Sequence, residues 1–237
     1  SRGSACHAAE AGGGEEMRLK KLPRSRPVDR HGFILSACAG RTVLDLGCAD
    51  YPMTEKRYRE GELLFARLHG VAKRIVGVDN SPEGVEALRS LGFEDAVLGD
   101  AAGLKELGLG DDIEVIVAGE LLEHISNLDG FFAGVKELMS PHTVLIVTVP
   151  NAYALKRLLR VMFGSELVNK DHVCSFSQAN MEELCSRHGV SIRETRYFLA
   201  EVEGRLKRAL LSPLMLFVRY LCPQLSDHLI FVCGLGE

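Results

Sequence analysis

The sequence predicts an open α/β fold: a doubly wound, mainly parallel sheet with helices on both faces. Three observations carry this. From about residue 42, short β-branched runs alternate with longer segments of helical spacing. The short runs are almost continuously apolar, as in strands covered on both faces. The intervening segments are long enough for the right-handed crossovers that wind a parallel sheet.

The strand candidates, in order, are 42–47 "TVLDLG", 74–79 "RIVGVD", 95–99 "DAVLG", 113–119 "IEVIVAG" and 143–150 "TVLIVTVP". Helical candidates lie between them at 54–68, 81–92 "SPEGVEALRSLG", 101–108 "AAGLKELG" and 127–139 "NLDGFFAGVKELM". The second has the clearest ends: Ser81 precedes Pro82, Glu83 and Glu86 follow, and Gly92 comes after the last apolar position. After Pro150 the pattern loosens. A basic, apolar-spaced segment at 151–172 precedes a helix capped by Ser177, a strand near 190–199, a helical stretch at 204–222 and a last apolar run, "HLIFVCG". Residues 17–237 therefore read as one domain, with lid-like insertions near 151–172 and 200–226. Residues 1–16, small and Gly/Ala-rich, read as a disordered or non-native segment, with Met17 a candidate native start.

Composition narrows the function. The 237 residues are 46% hydrophobic and 25% charged, with a net charge of -4. That balance fits a soluble globular protein and disfavours broad phosphate-driven binding to nucleic acid. The seven cysteines are scattered, odd in number and without a C-x-x-C pair. They fit a reducing cytoplasmic compartment better than a disulfide framework. No apolar run reaches the roughly 18 residues of a membrane span.

The most informative stretch is "VLDLGCADYP" at 43–52, a strand that ends at a glycine. In open α/β sheets, ligands lie outside the carboxyl ends of the strands, where such a turn sits. A dinucleotide site wants G-x-G-x-x-G, so the backbone can touch a pyrophosphate. Here Gly47 is followed by Ala49 and Tyr51, which disfavours a nicotinamide oxidoreductase and leaves room for a cofactor without pyrophosphate. The second strand ends in Asp79 and Asn80, with Asp79 suited to accept hydrogen bonds from ribose hydroxyls. The third strand ends at Asp100 and Ala101, the fourth at Gly119 and Glu120.

This ordered set resembles the class I S-adenosylmethionine (SAM)-dependent methyltransferases. "VLDLGCADYP" is similar to their first motif, "IVGVDNS" to the ribose motif, "LGDA" to the adenine motif and "DDIEVIVAGELLEH" to the fourth-strand motif. The resemblance spans roughly residues 30–199. It implies a Rossmann-like seven-stranded sheet with an antiparallel last strand. It also implies that Asp45, Gly47, Cys48 and Ala49 lie by the methionine moiety, Asp79 and Asn80 by the ribose, Asp100 and Ala101 by the adenine, and Gly119 and Glu120 at the same rim. The family usually shows G-x-G-x-G in the first motif, and Tyr51 is the larger departure from it.

A second stretch, "GELLEHISN", would place Glu120, Glu123 and His124 on one face if helical from about Glu120. Two carboxylates and an imidazole converging there make a candidate divalent-cation site, to which His172 in "NKDHVCSFS" adds a further ligand from across the cleft. The E-x-x-E-H pattern resembles the ubiquinone-biosynthesis O-methyltransferases and the small-RNA 2′-O-methyltransferases. That resemblance implies Glu120, Glu123, His124 and His172 as ligands of Mg²⁺ or a similar ion. Without a metal, Glu120 would bind the cofactor's amino group, and His124 or His172 would act as a general base.

The function expected is methyl transfer from SAM to a hydroxyl of a small-molecule or sugar-like acceptor, with a divalent cation or a histidine base as the two ways of assisting it. The alternatives are an RNA 2′-O-methyltransferase and a non-catalytic SAM-binding domain. Arg30, His31, Tyr153, Arg157 and Arg160 are candidates to grip the acceptor. The stretch "RALLSPLMLFVRYLCP" reads most simply as a buried core helix; an acceptor wall, a homodimer contact or a membrane-surface patch are the other readings.

Overall fold

The structure, a computed structural model, describes residues 19–110, 112–200 and 205–236; the side chains of Lys105 and of 205–210 are also outside the description. The expectations for 1–16 and for the first part of the 200–226 insertion therefore lie outside the described residues.

Helix α1 (Arg30–Cys38) leads into β1 (Thr42–Leu46), followed by short α2 (Thr54–Arg59) and α3 (Leu64–His69). Then come β2 (Arg74–Asp79), α4 (Pro82–Ser90), β3 (Ala96–Leu98), β4 (Val115–Gly119), α5 (Leu128–Leu138) and β5 (Val144–Pro150). The remainder is α6 (Leu155–Met162), α7 (Gln178–Arg187), β6 (Val190–Phe198), α8 (Arg205–Tyr220) and β7 (His228–Leu235). The strands form one seven-stranded sheet in the order β3-β2-β1-β4-β5-β7-β6. Neighbours from β3 through β5 are parallel, and β7 runs antiparallel to both β5 and β6. The predicted sheet is thus observed. The order reverses beside β1, so the tips of β1 and β4 flank the crevice in which ligands of such sheets lie.

Period-two alternation divides the core between the two faces. Leu44, Leu46, Ile116, Ala118, Leu145 and Val147 pack on one side with Phe131, Phe132 and Val135 of α5. Val43, Val115, Val117 and Ile146 pack on the other with Ile34 of α1, Phe65 and Leu68 of α3, and Leu88 of α4.

Helix starts follow local chemistry. Ser81 accepts from the Gly84 N–H at 3.0 Å, with Pro82 at the first helical position. Asn127 caps α5 and Ser177 caps α7 in the same way. Three expectations are corrected. The 54–68 segment is two helices, because the chain turns at Gly61 with φ 72°. The 101–108 segment forms only a single 3₁₀ turn at Leu104–Leu107, ended by left-handed Gly108. The C-terminal part of α8 is not a buried core helix: Val218 is buried, but Leu216, Phe217 and Tyr220 are exposed. α1 was not anticipated; its start is fixed by Asp29, which accepts the Gly32 N–H at 2.6 Å. No helix among the described residues is long and apolar enough to cross a membrane.

Candidate functional site

The site begins at the turn after β1. Gly47 has φ 75°, a conformation that side chains disfavour, and a Cβ there would stand 3.0 Å from Leu121 Cδ1. The turn is tied to the tip of β2: Asp79 accepts from the Ala49 N–H and from the Ser81 N–H, each at 2.9 Å and each on a different carboxylate oxygen. The absent motif glycines are compensated from the facing helix. A Cβ on Gly84 would lie 2.7 Å from Ala49 Cβ and 3.1 Å from Tyr51 Cβ, so α4 supplies the space. Asp45 lies buried beneath this turn. Burial pushes its carboxyl up to about 8, against the opposing pull of Arg30.

Beyond Asp79 the rim continues at Asp100, whose carboxylate accepts the Ala102 N–H at 2.9 Å. A cavity of about 700 Å³ opens along the strand tips. Its walls include Asp45, Gly47, Cys48, Asp79, Asn80, Asp100, Ala101, Gly119, Glu120, Glu123, His124 and His172. Every residue proposed from sequence for the cofactor or the metal thus lines one space, except Ala49, which is fully buried behind the turn.

The E-x-x-E-H segment is built differently from the single helical face expected. Glu120 follows β4 with φ 54°, and only Leu122–His124 form a 3₁₀ turn. Glu120 lies outside the closest group of ligand atoms, and its Oε2 lies 2.8 Å from His228 Nδ1. Glu123, His124 and His172 do come together: one ligand atom from each lies within 4.8 Å of the others. The two imidazoles meet edge to face, with centroids 4.6 Å apart. The loop carrying His172 is pinned by the Val173 N–H, which donates to the Glu123 carbonyl at 2.8 Å.

The electrostatics suit a cation. Glu123 is buried and its Oε2 has no hydrogen-bond partner. Burial, reinforced by the nearby Glu120 charge, pushes Glu123 up to about 8, as for a carboxylate short of counter-charge. Partial burial, with His124 and Arg157 beside it, lowers His172 and favours the neutral ring that can ligate.

Two groups at the site have roles that sequence reasoning missed. Arg30, first residue of α1, was read only as an acceptor contact. It enters the cavity, donates from Nε to Thr148 Oγ1 at 3.3 Å and lies over the Phe198 ring at 5.9 Å. A Cβ on Gly119 would stand 2.5 Å from Arg30 Nη2, so that glycine makes room for the guanidinium. His228, the first residue of β7, was not singled out at all. Its only sequence signal is a polar residue opening an apolar strand. Of the other acceptor candidates, His31 and Arg157 line the cavity, whereas Tyr153 is exposed and neither it nor Arg160 is part of the wall.

Comparison with known proteins agrees with this fold. A segment of 136 residues is 24% identical to the mitochondrial ubiquinone biosynthesis O-methyltransferase of Rattus norvegicus, covering 54% of this chain and 36% of the rat protein. A segment of 132 residues is 27% identical to the ubiquinone biosynthesis O-methyltransferase of Mesorhizobium japonicum, covering 54% of this chain and 48% of that protein. The matches thus span half or less of those relatives' own length. Among solved structures, a SAM-dependent methyltransferase from Archaeoglobus fulgidus superposes with a TM-score of 0.55 at 16% identity, covering 85% of this chain and 89% of that one. A SAM-dependent methyltransferase from Clostridium acetobutylicum gives 0.53 at 13% identity, covering 87% and 91%. The sequence model of the methyltransferase domain matches residues 18–195, and the chain belongs to that family, the class I SAM-dependent methyltransferases.

Proposed function

We propose that this protein transfers the methyl group of SAM to a hydroxyl of a small polar acceptor bearing neighbouring oxygens, with a divalent cation held by Glu123, His124 and His172. The observation that carries the reading is the convergence of those three ligand atoms within 4.8 Å, beside an unpartnered, buried carboxylate oxygen on Glu123. That the relatives are O-methyltransferases supports an oxygen nucleophile.

The residues divide the work. Asp79 is held by two backbone N–H groups and keeps lone pairs for the ribose hydroxyls. Gly47 lets the backbone approach the methionine end, and Arg30 supplies positive charge for its carboxylate. Asp100 and Ala101 border the adenine end. Arg157, Asn169, Asp171 and His172, from the insertion after β5, line the same cavity, and in this reading they would face the acceptor as a lid. Methyl transfer is an in-line displacement, and alignment alone contributes about 7–11 kcal/mol to such reactions. A bound cation would act as a Lewis acid on the acceptor hydroxyl and orient its neighbouring oxygen. Glu123, His124 and His172 fit that ion as one hard oxygen and two imidazole donors with open positions left for substrate.

The test is methyl transfer from labelled SAM to catechol-like and sugar acceptors, with and without a chelator, for the full chain and for Glu123→Gln. The reading expects transfer that chelation and Glu123→Gln both abolish. Transfer indifferent to both would remove the cation from the mechanism. No transfer to any hydroxyl acceptor, in a protein that binds SAM, would favour a non-catalytic SAM-binding domain.

A further inference from the structure

Helix α6 turns charge toward the molecule and apolar side chains away from it. Lys156 Nζ pairs with Asp227 Oδ2 at 2.8 Å, and Arg157 lines the cavity. Leu158, Val161 and Met162, at i, i+3 and i+4, share the other face, and Phe163 follows as the C-cap. No residue of this helix is buried. Val161 is 60% exposed, Met162 77% and Phe163 85%, and the loop that follows exposes Leu167 and Val168 as well. Single exposed apolar side chains are ordinary, but so dense a run marks a contact surface.

A second apolar surface starts from the same corner of the molecule. Asn151 Nδ2 donates to the carbonyls of Gln224 (2.9 Å) and Ser226 (2.8 Å). With the Lys156–Asp227 pair, these bonds tie the start of α6 to the turn that follows α8. The end of α8 and the residue after it expose Leu216, Phe217, Tyr220 and Leu221.

Charge decides what covers these surfaces. Residues 151–164 hold three Lys or Arg and residues 204–222 hold four, and neither stretch holds an Asp or Glu, in a chain of net charge -4. Arg160 and Arg219 are exposed on the two helices. A second copy of the chain meeting this face about a twofold axis would set like charges against each other. An acidic lipid surface reverses that sign. Apolar side chains enter the boundary between headgroups and acyl chains, while Lys and Arg reach the phosphates. α6, with eight residues, is far too short to cross a bilayer and suited to lie in its surface.

We propose that α6 with the loop after it, together with the C-terminal end of α8, docks the protein on bilayers of anionic phospholipid, on which it lies without spanning. The segment that meets lipid also sends Arg157 and His172 to the cavity wall, so the lipid-facing side and the cavity share one element. The proposal stands apart from the choice of methyl acceptor.

Co-sedimentation of the full chain with vesicles tests it. One set is made of equal parts phosphatidylcholine and phosphatidylglycerol, the other of phosphatidylcholine alone. The protein should bind the anionic set at least about tenfold more tightly, and the difference should shrink as salt is added. The double variant Met162→Asp, Phe163→Asp should lose at least about tenfold in affinity for anionic vesicles. Arg160→Ala and Arg219→Ala should each lose about fivefold at low salt. All four residues are exposed, so the variants should melt at the temperature of the parent protein. Absence of binding to either vesicle, equal binding to both, or binding that the double variant leaves unchanged overturns the proposal. So does a lipid-free dimer of the parent protein, detected by analytical ultracentrifugation, that the double variant dissociates, since the face would then join two copies of the chain.

Discussion

The Asp79 carboxylate accepts the backbone N–H of Ala49 at 2.9 Å, joining the tip of the second strand to the turn that follows the first. One acid thus shapes the cofactor turn and offers its remaining lone pairs to the sugar. Asp79→Ala should weaken S-adenosylhomocysteine by at least about tenfold and also lower the melting temperature of the ligand-free protein. Asp79→Asn, with one acceptor oxygen, should lose less of each. Calorimetric titration and thermal unfolding check this, and unchanged affinity in the alanine variant would exclude Asp79 from the site.

Gly47 meets two demands at once, a φ of 75° and an approach that leaves a Cβ only 3.0 Å from Leu121 Cδ1. Gly47→Ala should destabilise the fold by about 1–2 kcal/mol from backbone strain alone. Adding Leu121→Ala should relieve the contact without relieving the strain. Urea denaturation of the single and double variants separates the two effects; full restoration by the second substitution would show that the backbone is not strained.

The cation site predicts a division between two neighbouring glutamates. Glu123→Gln and His172→Ala should each weaken Mn²⁺ binding by roughly 10- to 100-fold, as loss of a ligand or its close support does. Glu120→Gln should weaken it less than either, because that carboxylate lies against His228. Equal losses for both glutamates would return Glu120 to the ligand set.

Asp45 predicts a pH dependence of stability. Its carboxyl titrates near 3.9 in an unfolded chain and is pushed up to about 8 in the fold. Between those values the folded state holds a proton that the unfolded state releases. This group's contribution to stability is therefore fully present below about pH 4 and is lost as the pH rises toward 8. Asp45→Asn removes that slope, so the variant should gain on the parent protein as pH increases. Urea unfolding at several pH values between 5 and 8.5 reads the difference directly, and parallel curves would refute it.

The sheet was legible because its signals are local and repetitive. The runs at 42–47, 74–79 and 143–150 are apolar at most positions, and burial on both faces is the state in which such runs are stable. The break at Gly61, the collapse of 101–108 to a single turn and the start of α1 were harder to read. They depend on one or two residues whose effect is set by packing rather than by period.

The sequence by itself determined the order of strand tips and the identity of the acids at them, since Asp79 ends, and Asp100 and Glu120 closely follow, strands that their own side chains define. Tertiary structure decided the partnerships. His228 meets Glu120 because β7 inserts antiparallel between β5 and β6, and Arg30 enters the cavity across the space that Gly119 leaves. Such contacts join residues far apart in the chain through the register of the sheet, and register is an outcome of packing the whole core, which no short stretch of sequence contains.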